Sequence, residues 1–232
     1  MIVIISGSPR KEKSCCREYA EIIALATGDE YKIYEAGTWN IDYCNACEEC
    51  MKEGRCVLDS GDDFDGIMED VRKADALIFA SPVYCGAVSA QMKTFFDRMV
   101  IELHVMSLLG KPAIALAVSE GTFHQETVEK ITEILEYSGA SVIDSLAISN
   151  KMSKSDRIEK LKKAGDALKI AMEPGYELKL SDRTREFFTR QNVRYRQLIS
   201  FAELLPNSVG EAKRWEAQGY MNRSIDDIIS QK

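Results

Sequence analysis

The chain has 232 residues, a net charge of −7 and 45% hydrophobic residues, which is enough apolar material for one sizeable core. The acidic balance argues against general binding to nucleic acid or to an anionic membrane. No stretch approaches the ~20 apolar residues of a membrane helix and the first apolar run is too short for a signal peptide, so we expect a cytoplasmic protein in a reducing compartment.

The first predicted elements are a short buried strand over residues 2–5 and a helix from about Ser14, which can serve as the N-cap. A loop rich in serine and glycine joins them. Backbone N–H groups converge in such a loop and the helix dipole favours negative charge, so it can bind an anion. It lacks the glycine patterns for nucleoside triphosphates and dinucleotides. The segment therefore suits a single terminal phosphate, or is an ordinary strand–helix turn.

Hydroxyl groups and one guanidinium of this loop could donate to such an anion. They belong to Ser6, Ser8, Arg10 and Ser14. Cys15 and Cys16 follow at the helix N-terminus, where a thiol can be activated, although a buried free cysteine also packs as a small hydrophobe.

Four cysteines fall within thirteen residues after the second predicted strand, which covers residues 31–35. They are Cys44, Cys47, Cys50 and Cys56. Thiolates select zinc, copper(I) or iron–sulfur clusters, and four cysteines are the usual ligand set of a [4Fe–4S] cluster. Structural zinc sites pair two knuckles across a longer spacer, so the spacing suits zinc less well. We favour a [4Fe–4S] cluster over another metal and over metal-free thiols in a surface loop.

Helices and strands alternate over the rest of the first 172 residues. Three further strands are predicted over residues 76–80, 113–118 and 141–148. Helices are predicted over about 62–73, 90–99, 125–137 and 158–171. Five strands alternating with five helices indicate a doubly wound parallel sheet. Ligands on such sheets bind beyond the carboxyl ends of the strands, so we expect the loops at 6–16, 81–90 and 119–124 to converge.

The character of the chain changes after residue 175. Apolar and aromatic residues recur at roughly helical spacing from Phe187 to Leu205, and Trp215 and Tyr220 follow in a second short segment. A segment with this many aromatic residues must bury its aromatic face, either on the sheet domain, on another subunit or over a ligand. We favour a subunit contact.

Three motifs occur in order along the chain: Gly7-Ser-Pro-Arg10, the four-cysteine loop, and Ser81-Pro-Val-Tyr84 followed by Ser89-Ala-Gln-Met-Lys93. With them, residues 1–172 resemble the NADPH-dependent FMN reductase-like branch of the flavodoxin fold, and within it the iron–sulfur flavoproteins. The resemblance implies a flavodoxin-like FMN-binding domain with a five-stranded parallel sheet over 1–172. Residues 173–232 are then a helical C-terminal extension.

The resemblance also implies the site residues. The FMN phosphate would lie on loop 6–16 and the ring system against loops 81–86 and 119–124. The candidate contacts are Ser8, Arg10, Ser14, Cys15, Cys16, Pro82, Val83, Tyr84, Cys85, Gly86, Ser119, Glu120, Gly121 and His124. Within the loop at 44–56, Cys44, Cys47, Cys50 and Cys56 would hold one [4Fe–4S] cluster. A homodimer or homotetramer with both cofactors near a subunit boundary is implied as well.

The predicted function is that of a flavin-dependent oxidoreductase. Electrons would pass between a reduced donor, NAD(P)H or a ferredoxin-like protein, and an acceptor by way of cluster and flavin. The cofactors carry the electron chemistry, so no side chain need act as a nucleophile. Two alternatives stay open: a cluster-free NAD(P)H:quinone or flavin reductase, and a non-enzymatic electron carrier or redox sensor.

Overall fold

A computed structural model describes residues 1–58, 61–202 and 209–231 of the chain. The strands are β1 (Ile2–Ser6), β2 (Tyr31–Glu35), β3 (Ala76–Tyr84), β4 (Ala87–Val88), β5 (Pro112–Ser119) and β6 (Ser141–Ser149). The helices are α1 (Cys15–Thr27), α2 (Glu49–Glu53), α3 (Phe64–Lys73), α4 (Ala90–Arg98), α5 (Val100–His104), α6 (His124–Tyr137), α7 (Lys154–Ala171), α8 (Asp182–Ser200), α9 (Gly210–Ala217) and α10 (Ile225–Ile229). None of these helices combines the length and the apolar character needed to cross a membrane.

Five of the strands form a parallel sheet in the order β2-β1-β3-β5-β6, and the short β4 pairs antiparallel with β3. This order confirms the predicted doubly wound parallel sheet. The strand order changes direction between β1 and β3: β2 lies on one side of β1, whereas β3, β5 and β6 follow on the other side. That switch point is where sheets of this topology bind their ligands.

Helices cover both faces of the sheet, so β1 and β5 are buried along their whole length and are apolar up to their final serines. On one face, α1 and α7 bury side chains such as Ile23 and Leu161 against Ile4. On the other face, α3, α4 and α6 pack around Phe79 and Phe95. The two layers hold the carboxyl ends of the strands at one common edge.

Strand β3 is longer than the sequence predicts. It runs past residue 80 to Tyr84 and then turns through Cys85 and Gly86 into β4. Both turn residues have left-handed backbone angles, with φ of 50° and 76°. Because β1 has already ended opposite Ala80, Pro82 lies at a local edge of the sheet, where a residue without an N–H is tolerated.

The C-terminal extension forms a third hydrophobic core against the sheet domain. Phe188 of α8 and Trp215 of α9 are buried together with Tyr195, next to Met106 and Leu109 from the segment before β5. Most of the aromatic face is therefore covered within the chain, where we had favoured a subunit contact, while Phe201 is 54% exposed. The helix that carries Phe188 ends at Ser200, and Leu205, the last predicted apolar position, lies outside the described residues.

Candidate functional site

The loop after β1 leads into the N-terminus of α1, as predicted. Ser14 is the N-cap, and its Oγ accepts a hydrogen bond from the Arg17 N–H at 3.2 Å. The first amides of a helix have no intrahelical partner, so the N–H groups of Cys15 and Cys16 point out of the helix end. They are the donor pair that an anion such as a phosphate would use.

Two more serines of this loop are buried. The Ser8 Oγ accepts a hydrogen bond from the Arg10 N–H at 3.3 Å, while Arg10 itself is exposed. The Ser6 Oγ lies at the end of β1 and, among the described residues, has no hydrogen-bond partner. A buried hydroxyl of this kind is satisfied by a bound ligand oxygen or by water, so the loop suits the phosphate that the resemblance implies.

The adjacent cysteines lie in different environments. Cys16 packs among the core side chains of α1, and burial raises the pKa of its thiol. Cys15 is half-buried, and its Sγ lies 4.0 Å from the Asn150 Nδ2. Cys16 can therefore contribute only its backbone to a ligand in the loop, whereas Cys15 also presents its side chain.

Ser89 joins the β1 loop to α4. Its Oγ accepts from the Met92 N–H at 3.1 Å as the N-cap of α4 and donates to the Gly7 carbonyl oxygen at 2.6 Å. A Cβ on Gly7 would lie 2.6 Å from the Met92 Cβ, so the loop can approach the helix this closely only with glycine. Ser89 is the first residue of the sequence motif Ser89-Ala-Gln-Met-Lys93, but we did not choose it as a site residue, although a serine just before a helix is an N-cap signal.

We expect Ser89→Ala to lower the free energy of unfolding by about 1–2 kcal/mol, because it removes an N-cap and a buried hydrogen bond. Urea unfolding monitored by circular dichroism measures this. Ser153→Ala is the matched control, because Ser153 caps α7 through the Asp156 N–H. We expect both variants to lose stability but only Ser89→Ala to weaken FMN binding. Equal FMN affinities would contradict the role of Ser89 in holding the loop.

The β3–β4 hairpin and the loop after β5 meet at this edge. A Cβ on Gly86 would lie 3.6 Å from the Phe123 ring. The rings of Tyr84 and Phe123 remain 43% and 53% exposed, so they give the edge an apolar surface. Pro82 and Val83 are half-buried behind them. Phe123 lies inside a loop that the sequence singled out, but we had not chosen it as a contact.

The predicted polar residues of the β5 loop are held by hydrogen bonds. The Ser119 Oγ lies 3.1 Å from the His124 Nδ1 and accepts from the Gly121 N–H at 3.1 Å. Glu120 accepts from the Asn150 Nδ2 at 2.8 Å, and Asn150 in turn is the residue beside Cys15. The loops after β1, β5 and β6 therefore form one connected edge.

Left-handed backbone angles in residues other than glycine concentrate in these loops. Among the described residues they occur at Lys11, Ala46, Glu48, Cys85, Met106, Phe123 and Asn222. Five of these seven fall in the loops that form the candidate sites. Lys11 lies in the β1 loop, Ala46 and Glu48 in the loop at 44–56, Cys85 in the hairpin and Phe123 in the β5 loop. Each costs on the order of 1–3 kcal/mol and persists only where its surroundings hold it, which is typical of binding sites.

The four cysteines of the loop at 44–56 line one cavity. Cys44 and Cys47 are exposed, whereas Cys50 and Cys56 are half-buried. Leu58, Arg98 and Val100 complete much of the wall. All four cysteine residues of the loop thus line one common space.

Burial is the largest cause that raises the pKa of the Cys50 thiol to about 11, and the negative charges of Cys56, Glu211, Cys44 and Cys47 contribute to the same rise. Within the described residues no three His, Cys, Asp or Glu side chains are placed to hold a single metal ion. A [4Fe–4S] cluster takes one thiolate at each iron, so its ligands surround a volume rather than converge on a point.

A buried ion pair anchors the end of this loop. The side chains of Arg98 and Asp62 are fully buried and in contact. The Asp62 carboxylate also accepts from the N–H groups of Asp42 and Phe64, both at 2.9 Å. Burial alone would raise the pKa of Asp62, but these partners outweigh it and hold the pKa below its usual range. The sequence placed residue 62 only at the start of a predicted helix.

Known proteins resemble this chain in sequence and in fold. The sequence model of the NADPH-dependent FMN reductase family matches residues 1–153. An iron–sulfur flavoprotein of Methanosarcina thermophila is 34% identical over 144 residues, which cover 60% of this chain and 74% of that protein. An iron–sulfur flavoprotein of Clostridioides difficile (strain 630) is 29% identical over 165 residues, covering 69% and 72%.

Solved structures show the same fold at low sequence identity. A flavone reductase aligns with a TM-score of 0.62 at 14% identity, covering 78% of this chain and 65% of that one. An archaeal flavodoxin aligns with a TM-score of 0.51 at 16% identity, covering 75% and 100%. At these identities the structures bear on the fold alone, which is flavodoxin-like.

Proposed function

Since the chain belongs to the NADPH-dependent FMN reductase family of flavin-dependent oxidoreductases, we propose that it is an FMN-dependent redox enzyme. We propose further that it holds a [4Fe–4S] cluster. It passes electrons between a reduced donor, NAD(P)H or a ferredoxin-like protein, and an acceptor. One observation supports the cluster: Cys44, Cys47, Cys50 and Cys56 are all lining residues of a single cavity.

The phosphate of FMN would be held at the N-terminus of α1. The amides of Cys15 and Cys16 and the hydroxyls of Ser8 and Ser14 are the donors there. The exposed guanidinium of Arg10 adds a positive charge at the rim. Several hydrogen-bond donors and a nearby cation favour a phosphate, and this loop supplies both.

The ring system would lie against the β3–β4 hairpin and the β5 loop. Tyr84 and Phe123 provide apolar surface that excludes water, and the tight turn at Cys85 and Gly86 brings backbone groups to the same edge. Because the His124 Nδ1 is hydrogen-bonded to Ser119, the Nε2 of this histidine is the ring nitrogen available for a hydrogen bond to a ligand.

When bound, FMN supplies one- and two-electron chemistry and the cluster supplies one-electron chemistry. The protein binds and positions both groups, and the four thiols must stay reduced to bind iron. The proposal therefore requires a reducing compartment.

The flavin site is tested by adding ligands to flavin-free protein. We expect FMN to raise the melting temperature, since a ligand at a hundred times its Kd stabilises the folded state by about 2.7 kcal/mol. Riboflavin at the same concentration should stabilise the protein far less, because it lacks the phosphate that the α1 N-terminus binds. Equal shifts for the two ligands, or no shift with FMN, would contradict the assigned site.

A further inference from the structure

The C-terminal extension rests directly on the helix that carries Cys50. Helix α9 begins at Gly210, and a Cβ at that position would overlap the carbonyl oxygen of Lys52 and the backbone nitrogen of Gly54. The approach is thus backbone against backbone, and only glycine permits it. Gly54 ends α2 with a φ of 73° and is followed two residues later by Cys56.

Arg214 of α9 fixes the same segment by hydrogen bonds. Its Nη1 donates to the Gly54 carbonyl oxygen at 3.2 Å. Its Nη2 lies 2.7 Å from both carboxylate oxygens of Glu102, which is 3% exposed on α5. Arg72 of α3 contacts the same carboxylate at 3.0 Å. The end of α2 is therefore tied through Arg214 to the body of the sheet domain.

The start of α9 is itself held firmly. Glu211, next to Gly210, is 2% exposed and lies 2.6 Å from the His104 Nδ1. The Tyr195 hydroxyl donates to the other carboxylate oxygen of Glu211 at 3.2 Å. These contacts fix α9 to α5 and α8, so α9 can hold the adjacent cysteine loop in place.

We propose that the C-terminal extension is a clamp on the cysteine loop, in which Gly210 and Arg214 are positioning residues that hold Cys50 and Cys56 at their places around the cavity. Cys44 and Cys47, the exposed pair, lie outside the clamp. The purpose of the clamp rests on the proposed cluster, but the clamp is a property of the metal-free chain.

The clamp is tested by alkylating metal-free, full-length protein with iodoacetamide and following each cysteine by mass spectrometry. We expect the alkylation rates of Cys50 and Cys56 to rise on the order of tenfold in Gly210→Ala and in Arg214→Gln. The alanine methyl group would push α9 away from the end of α2. The glutamine removes the hydrogen bond of a charged group to the Gly54 carbonyl oxygen. The rates at Cys44 and Cys47 should stay unchanged. Should Gly210→Ala fail to fold, Arg214→Gln decides alone.

Two matched variants separate the clamp from general loss of stability. Gly219 follows α9 with a φ of 72° and open space around it, so Gly219→Ala strains the extension without touching α2. Arg185→Gln makes the same change at an arginine of α8 that contacts Asp226 of α10 instead of Gly54. An unchanged rate at Cys50 and Cys56 in the two clamp variants, or an equal rise in the two controls, would overturn the clamp.

A second readout uses protein that carries its iron. We expect Gly210→Ala and Arg214→Gln to release iron to a chelator on the order of ten times faster than the parent chain, and Arg214→Lys to recover part of the difference. Equal release rates would overturn the clamp as a device for the cluster. If the parent chain binds no iron, the proposed function fails, while the alkylation rates still decide whether the clamp exists.

Discussion

Replacing Cys50 by serine is expected to remove the iron and leave the flavin. Anaerobically purified parent protein should contain about four iron and four acid-labile sulfide per chain, and the variant nearly none. FMN should stay near one per chain in both, because loop 6–16 and the β3–β4 hairpin make no use of this thiol. The measurement is a colorimetric assay of iron, sulfide and flavin on the same sample.

Cys85→Ser is the control, because Cys85 is an exposed cysteine with a left-handed backbone in another loop and lies outside the cysteine cavity. It should retain all of its iron. The same pair of variants separates the proposed function from a cluster-free reductase. If Cys50→Ser oxidises NAD(P)H as fast as the parent and the parent holds no iron, the cluster-free alternative is correct.

Asp62→Asn is expected to destabilise the protein by about 3–5 kcal/mol, because it removes the carboxylate that balances the buried charge of Arg98. Urea unfolding at neutral pH gives this difference. Asp63→Asn is the control: Asp63 is exposed and accepts one hydrogen bond from the Asn40 N–H, so its loss should cost about 1 kcal/mol or less.

The double variant Asp62→Asn with Arg98→Met should regain part of the lost stability, because no charge then remains buried. The effect also depends on pH. The pKa of Asp62 is lowered by folding, so its contribution is complete above its unfolded value of about 3.9 and is lost as the pH falls through the folded value. The difference between parent and Asp62→Asn should therefore shrink below about pH 4. A constant difference across that range would show that the carboxylate charge is not its source.

The sequence was most informative where local chemistry decides the structure. Fully apolar runs such as that of β1 predicted buried parallel strands, and Ser14 predicted the cap of α1. Because these elements alternate, the sheet topology and the common edge of the loops could be inferred as well. The family followed from the motifs, and the match over residues 1–153 confirms it.

The parts that could not be predicted depend on contacts between distant segments. The hairpin after β3 exists because β5 continues beside it after β1 has ended. The ion pair of Asp62 with Arg98 joins positions 36 residues apart, and nothing in either neighbourhood indicates it. The close approach of Gly210 to Gly54 spans still more of the chain. Periodicity showed that the extension must bury an aromatic face, but not which surface would cover it.

The central claim is that the four thiols around the cavity hold one [4Fe–4S] cluster in a protein that also binds FMN. Its most direct test is the metal and sulfide content of protein purified without oxygen, together with the electron paramagnetic resonance spectrum after reduction. We expect about four iron, four sulfide and one FMN per chain and the signal of a reduced [4Fe–4S] cluster. Protein with a full complement of FMN but with no sulfide, or with zinc in place of iron, would contradict it.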